Sequence, residues 1–335
     1  AAPLRVAAPH CRGLAAAAGV SASQVKELRD RTGASMGKCR QALQEEAGDL
    51  EKAVEWLRRR GMRSMERRAA ESAEALLALA LAPPSAPASG AVVELRAETD
   101  FVTRGELFQQ LVAALAQTAA SGGEGGGLLG AKLVGGPPQA AASATAEAAL
   151  LELGSVLGEK LVLGEVWQLR APEGGVVGGY VHPKQAEGLA GTGRMAALVS
   201  LEPAPQVCDP ERLGELASRL ARHVVGAQPR FLSVAGIPAE TAQKERETAK
   251  AAYLAQLDPK KAGSIDQQVL DKVLTGKMQK FYQEHVLLCQ GLVAPQGAGG
   301  TAEAKAAPVA EVLEREAKAL GLERIVITDF KLAVL

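Results

Sequence analysis

The predicted strands of this chain occur in clusters separated by long helical segments, and this order most constrains its fold. A parallel doubly wound sheet would need strands and helices that alternate regularly, so clustered strands predict an α+β fold instead. Alternating polarity and glycine turns predict strands at residues 91–99, 161–169, 176–181, 196–201, 325–327 and 332–335. Apolar periodicity predicts helices at residues 106–120, 144–153, 209–225, 239–257, 266–285 and 309–320. Residues 75–82 alternate Leu with Ala, which fits a helix and a strand equally well.

The first part of the chain predicts three short amphipathic helices. Ser23 is the predicted N-cap of the first helix, and the second runs over residues 36–47. Gly48 and Asp49 then supply a C-cap and a new N-cap in succession, and the third helix follows over residues 49–60. Three such helices within about forty residues form a small domain of their own.

Composition excludes several classes of protein. The chain has 38 Lys and Arg against 38 Asp and Glu, and this balance excludes a generally basic nucleic-acid binder. Its four cysteines form no CxxC pair and its four histidines no HExxH motif, so we expect no metal site and a reducing compartment. No apolar run reaches the roughly 18 residues of a membrane span.

Residues 1–20 carry Arg but no acid and are either a transit-peptide remnant or a disordered tail.

The nucleotide-binding and catalytic motifs of the sequence fail on context. Gly125, Gly127 and Gly130 spell GxGxxG, but this segment follows a predicted helix and opens none, so no helix N-terminus would meet a phosphate. The chain has no GxxxxGK[ST] and no GxSxG motif. We therefore expect a flexible loop here, no direct nucleotide binding, no cofactor and no catalytic residues, which means that the protein is not an enzyme.

Five segments resemble the elongation factor Ts family and occur in the family's order. The most specific are VKELRDRTGASM at residues 25–36, with its continuation to residue 53, and ETDFV at residues 98–102. The others are GYVH at 179–182, HVVGAQPRF at 223–231 and GKMQKFY at 276–282. The resemblance covers about residues 20–332.

This resemblance implies a guanine-nucleotide exchange factor that binds elongation factor Tu as a 1:1 heterodimer, promotes GDP release and is not itself an enzyme. It also implies a ubiquitin-associated-like three-helix domain followed by two α+β core subdomains with short antiparallel sheets. The domains are expected at residues 21–62, 63–170 and 171–335, after the tail of residues 1–20.

Departures from the bacterial pattern make the chain resemble a mitochondrial member of the family. Bacterial members carry a coiled-coil insertion where residues 258–263 lead almost directly into the next helix, and a C-terminal helix that is not present up to Leu335. The loops at residues 83–90 and 122–138 are enlarged. Together with the acid-poor first segment, these features predict a mitochondrial matrix protein that binds mitochondrial elongation factor Tu.

The resemblance implies that the partner is contacted by Thr99, Asp100, Phe101 and Val102. An aromatic ring at a strand end can enter a pocket between helices of a partner, while the adjacent carboxylate disturbs polar groups near its metal ion. The alternative is structural: Thr99 or Asp100 caps the following helix, and Phe101 belongs to the core. A second copy of the tripeptide at Thr328, in a strand-like tail, shows that the motif alone does not decide.

Three further residues are implied as partner contacts by the same resemblance. Tyr180 and His182 match the family's core segment, although Pro183 replaces the usual glycine, and His182 would press on the phosphate-binding loop of the partner. Met36 is the contact expected from the helical domain. The alternatives are a structural histidine at 182 and a core methionine at 36.

Two other functions stay open from the sequence. The three-helix domain alone would suit a ubiquitin-binding adaptor. The basic run from Arg58 to Arg68 would suit a ribosome- or RNA-associated protein, although a solvated helical face is the usual outcome of such a run.

Overall fold

The computed structural model describes residues 20–69, 71–83, 87–122, 125–140, 143–182, 188–205, 209–257, 266–292 and 307–335. Its helices are α1 (Ala22–Thr32), α2 (Met36–Glu45), α3 (Leu50–Glu66), α4 (Asp100–Thr103), α5 (Glu106–Ala120), α6 (Ala146–Leu157), α7 (Pro210–Ala227), α8 (Ala239–Ala255), α9 (Gln267–His285) and α10 (Val309–Ala319). Its strands are β1 (Glu74–Ala82), β2 (Ser89–Ala97), β3 (Val162–Arg170), β4 (Val176–His182), β5 (Thr192–Gly193), β6 (Met195–Ala204) and β7 (Arg324–Val334).

Helices α1 to α3 pack around a small core of their own. The N-cap of α1 is Ser21, whose hydroxyl accepts a hydrogen bond from the N–H of Gln24, so the prediction of Ser23 was wrong. Asp49 caps α3 as predicted by accepting from the N–H of Lys52. The buried side chains that these helices share are Val25, Leu28, Cys39, Ala42, Leu43, Ala53 and Leu57.

The first sheet is antiparallel with the strand order β3-β2-β1-β5. The ambiguous segment at residues 75–82 forms strand β1, because its backbone pairs with β2 on one side and with β5 on the other. Helix α5 covers one face of this sheet with the fully buried Phe108, Leu111 and Leu115. The GxGxxG glycines lie within a 3-10 helix at Gly125–Gly130, not in the flexible loop that we expected, and they open no α-helix.

The second sheet is also antiparallel and has the strand order β4-β6-β7. Helices α7 and α10 cover it, and α8 and α9 pack against each other. Strand β7 runs from Arg324 to Val334, as the terminal strand expected at residues 325–327 and 332–335. A third cluster of apolar side chains joins the two sheets and includes Leu77, Val92, Val177 and Leu198.

Small antiparallel sheets with helices packed on them confirm the predicted α+β class. None of the described helices is both long and apolar enough to cross a membrane. The interhelical segment at residues 258–263, Pro183 and the tail of residues 1–19 lie outside the described residues.

Stability should decrease as the pH falls towards 5.5, because helix α7 buries His223. The imidazole Nε2 of this residue lies 3.0 Å from Oε1 of the buried Gln290. Burial lowers the pKa of His223 below its ordinary value, against a smaller opposing effect of the Gln290 hydrogen bond. The unfolded chain therefore takes up a proton at this position first, so the contribution of His223 to the free energy of unfolding is fully present above about pH 6.5 and decreases as the pH falls below it. Urea unfolding between about pH 5.5 and 7.5 measures this change.

The variant His223→Gln should flatten the pH profile in that window, since no imidazole is left to charge at this position. The exposed His182 provides the control, and His182→Gln should keep the wild-type profile. A wild-type slope that survives in His223→Gln would assign the pH dependence to other groups.

Candidate functional site

The site is built where β2 ends and α4 begins. The side chain of Val102 is buried in the first core, whereas that of Phe101 is 85% exposed. Neighbouring residues of a helix point in different directions, so the buried Val102 turns Phe101 outwards. The alternative in which Phe101 belongs to the core was therefore wrong.

Neither Thr99 nor Asp100 caps α4 with its side chain. Thr99 occupies the N-cap position, but its hydroxyl donates to Oε1 of Glu159 at 2.6 Å. Asp100 is the first residue of the helix, and its carboxylate lies 2.9 Å from the guanidinium of Arg104. Both members of this ion pair are exposed, so the pair contributes little to stability.

The second copy of the tripeptide lies in a different environment. Thr328 donates from its hydroxyl to Oγ of Ser200 within the second sheet, at 2.8 Å. Phe330 lies on β7 and packs, partly buried, against the second core. The same three residue types thus expose a ring after β2 and pack one on β7, because the first copy forms the start of the short helix α4 and the second lies within strand β7.

Tyr180 and His182 lie two residues apart on the edge strand β4 and therefore share one face of the sheet. Their rings are stacked with centroids 6.4 Å apart and an interplanar angle of 22°. The guanidinium of Arg222 on α7 lies 5.1 Å from the centroid of the Tyr180 ring. This cation–π contact fixes the half-buried tyrosine, while His182 stays exposed.

Met36 begins α2 and is 44% exposed, so the alternative of a core methionine was wrong. Met36, Phe101 and His182 lie on three different elements, α2, α4 and β4. The structure thus brings together Thr99–Val102 on one element and Tyr180 with His182 on another. A partner that contacts all of them would have to span several elements.

Sequence reasoning missed the residues that hold the site. Glu159 follows α6 and accepts hydrogen bonds from the segment before α4, and Arg222 lies over Tyr180. No local signal in the sequence marks either one, because each acts across a long stretch of chain. A glycine at the C-cap position of α6, Gly158, indicates that the helix ends with a sharp turn there, but it does not indicate what Glu159 contacts.

Several arginines of the basic run have partners within the chain. Arg58 contacts the buried carboxylate of Glu152 on α6, and Arg60 lies 4.9 Å from the centroid of the Trp56 ring. Arg68 forms an ion pair with Glu98 at 2.6 Å. Arg58 and Arg68 thus connect the basic run to α6 and to the segment after β2.

Comparisons with known proteins agree with one another. A model of the family described as elongation factor TS matches residues 98–299. Elongation factor Ts of Rhodospirillum rubrum is 36% identical over 304 residues, which are 90% of this chain and 88% of the relative. That of Orientia tsutsugamushi is 34% identical over 312 residues, 93% of this chain and 90% of the relative. That of Chlorobium phaeobacteroides is 35% identical over 281 residues, 82% of this chain and 87% of the relative.

These likenesses place the chain among the translation elongation factors. Since the family match covers more than half of its length and the relatives match most of it, the chain belongs to the elongation factor Ts family. Membership in this family supports guanine-nucleotide exchange on elongation factor Tu, by protein binding, in translation elongation.

Proposed function

We propose that this protein is the guanine-nucleotide exchange factor of mitochondrial elongation factor Tu and forms a 1:1 complex with it in the mitochondrial matrix. In that complex it disturbs the Mg²⁺ and phosphate site of the partner, promotes GDP release and stabilises the nucleotide-free state until GTP binds. The observation that carries the proposal is the 85% exposed ring of Phe101 beside Asp100, on a short helix at the end of a strand.

The proposed mechanism is negative coupling between two ligands of elongation factor Tu. An exchange factor must bind the nucleotide-free partner more tightly than the GDP-bound partner. Bound GDP then lowers the affinity of the partner for the exchange factor as many-fold as the exchange factor lowers its affinity for GDP. A metal ion contributes much of the local charge of such a phosphate site. A contact that moves the groups supporting Mg²⁺ therefore weakens the hold on GDP.

Exposure and charge support the proposed roles of individual residues. Phe101 has the apolar area to fill a pocket of the partner. The carboxylate of Asp100 forms an exposed ion pair with Arg104, so it can exchange this partner for polar groups of elongation factor Tu at little cost. Thr99 supplies a further contact on the same element, whereas Val102, expected as a contact, has its side chain buried in the first core. Tyr180, His182 and Met36 supply contacts from the second sheet and the helical domain.

The mitochondrial setting and the domain boundaries are further parts of the proposal. The first 20 residues carry Arg and no acid, as targeting segments do. Similarity to the alphaproteobacterial relatives from Rhodospirillum rubrum and Orientia tsutsugamushi is compatible with this setting. We keep the domains at residues 21–62, 63–170 and 171–335, because the three helices and each of the two sheets have an apolar cluster of their own. Helix α3 extends past the first boundary to Glu66, and β5 pairs with the first sheet from beyond the second boundary.

Release of fluorescent GDP from mitochondrial elongation factor Tu tests the function. A sub-stoichiometric amount of the protein should accelerate release by more than tenfold, because one molecule serves many partners in turn. An equal concentration of bovine serum albumin is the control. Release at the intrinsic rate at every concentration tested would refute the exchange function, and acceleration only at equimolar amounts would refute turnover. Localisation of the tagged full-length product outside mitochondria would refute the setting alone.

A further inference from the structure

The backbone that leads into α4 is held by one carboxylate from a distant part of the chain. Oε2 of Glu159 accepts hydrogen bonds from the backbone N–H groups of Glu98 and Thr99, at 3.1 and 3.0 Å. Oε1 of the same side chain accepts from the hydroxyl of Thr99 at 2.6 Å. Three donors just before Asp100 thus converge on one half-buried side chain. Hydrogen bonds to an ionised acceptor are shorter and stronger than neutral ones.

The position of Glu159 is itself fixed by the end of α6. Gly158 adopts a left-handed conformation with a φ of 79°, and the N–H groups of Gly158 and Glu159 both donate to the carbonyl oxygen of Gly154. A Cβ atom on Gly154 would lie 2.8 Å from the carbonyl oxygen of Glu159, so the chain turns back close against the helix. The carboxylate therefore projects from a rigid turn.

A second contact runs in the opposite direction and completes the attachment. The carboxylate of Glu98 accepts from the backbone N–H of Lys160 at 2.7 Å. The guanidinium of Arg68, just after α3, donates to the same carboxylate through two nitrogens, at 2.6 and 2.7 Å. The Arg68 hydrogen bond, followed by that of Lys160, holds the pKa of Glu98 below its usual range. Residues 98–99 and 159–160 are thus joined by reciprocal bonds.

Such an attachment is needed because α4 cannot hold Phe101 alone. The helix has four residues, too few to be stable without tertiary contacts. An 85% exposed ring receives little packing from its own chain, so its place is set by the backbone that carries it. A binding group contributes most when it is held in the bound geometry beforehand.

We propose that Glu159 is a positioning residue for nucleotide exchange, which holds Phe101 and Asp100 in the geometry that meets the partner. This inference rests on the proposed function. Glu159 does not itself need to touch elongation factor Tu, since it acts through the backbone of Glu98 and Thr99.

The first test compares three variants in the release of fluorescent GDP from elongation factor Tu. Glu159→Ala removes all three acceptor contacts and should slow the stimulated release by about tenfold, because a small misplacement of a contact group is costly. Glu159→Gln keeps one acceptor oxygen and the side-chain volume, so it should slow the stimulated release by about threefold. Glu165→Ala, at an exposed glutamate of the adjacent strand β3, is the control and should match the wild type.

The second test separates positioning from a general effect on stability. In a Phe101→Ala background, adding Glu159→Ala should slow release by less than about twofold further, since no ring is left to position. In the free protein, amide exchange measured by NMR should speed up for the N–H groups of Glu98 and Thr99 in Glu159→Ala and stay unchanged at Leu95. This measurement needs no partner.

Three results would overturn the inference: wild-type release by Glu159→Ala, a tenfold loss that persists in the Phe101→Ala background, or unchanged exchange of the two amides. If the wild type itself does not accelerate GDP release while the amides respond as expected, the exchange function is refuted and the positioning role falls with it. If the wild type accelerates release and Glu159→Ala does so equally, only the positioning role is refuted.

Discussion

Phe101→Ala is expected to slow the stimulated release of GDP by about 30-fold, equivalent to about 2 kcal/mol, which is typical of a truncated aromatic anchor at an interface. The free energy of unfolding should change by less than about 0.5 kcal/mol, because a side chain that is 85% exposed contributes little to the fold. The two quantities are measured by fluorescent GDP release and by urea unfolding of the same preparation.

The chain offers a matched control for this variant in its second Thr-Asp-Phe tripeptide. Phe330→Ala removes a ring that packs against the second core, so it should destabilise the protein by about 2 kcal/mol or more and spare exchange at temperatures where the fold persists. Val269→Ala, at a valine that is 51% exposed on α9, should alter neither quantity. Exchange at the wild-type rate by Phe101→Ala would show that the ring does not contact the nucleotide-binding domain of the partner.

Much of the fold could be predicted from the sequence because most elements carry a strong local pattern. Helix α5 begins and ends as its apolar periodicity predicted. Strand β1 could not be assigned, since Leu and Ala in alternation satisfy both periods and Ala favours a helix. Its pairing with β2 and β5 decided the matter, and those contacts are tertiary.

The sequence indicates where the candidate site lies, but not whether Phe101 is exposed or which residues hold it in place. The tripeptide after β2 permitted both a buried and an exposed Phe101, and only the burial of Val102 separates the two. Glu159 could not be found at all, because it lies 60 positions after Thr99 in the sequence. An N-cap such as Asp49 is recognisable because it accepts from a backbone N–H three residues away, whereas no local pattern marks an acceptor as distant in sequence as Glu159.

Gly178→Ala is expected to destabilise the protein by about 3 kcal/mol, near the upper end of the cost of overpacking. A Cβ atom at this position of β4 would lie 2.3 Å from the backbone nitrogen of Ser218 and 2.4 Å from the carbonyl carbon of Ala217 on α7. These are backbone atoms, so they cannot rotate away as a flexible side chain does. The strand and the helix must separate, and the apolar contacts between them weaken. Urea unfolding measures the loss.

The same helix supplies the control for this prediction. Gly214 lies on α7 with open space around the position of a Cβ atom, so Gly214→Ala should stabilise the protein by up to about 1 kcal/mol through helix propensity. Gly179→Ala should cost less than Gly178→Ala, because its Cβ would meet only the side chain of Leu79, at 2.8 Å. Equal stability of Gly178→Ala and the wild type would mean that β4 and α7 are not packed this closely.

A separation of these elements would also move Arg222 from the Tyr180 ring. Gly178→Ala should therefore lose exchange activity at temperatures where it is still folded, whereas Gly214→Ala should not.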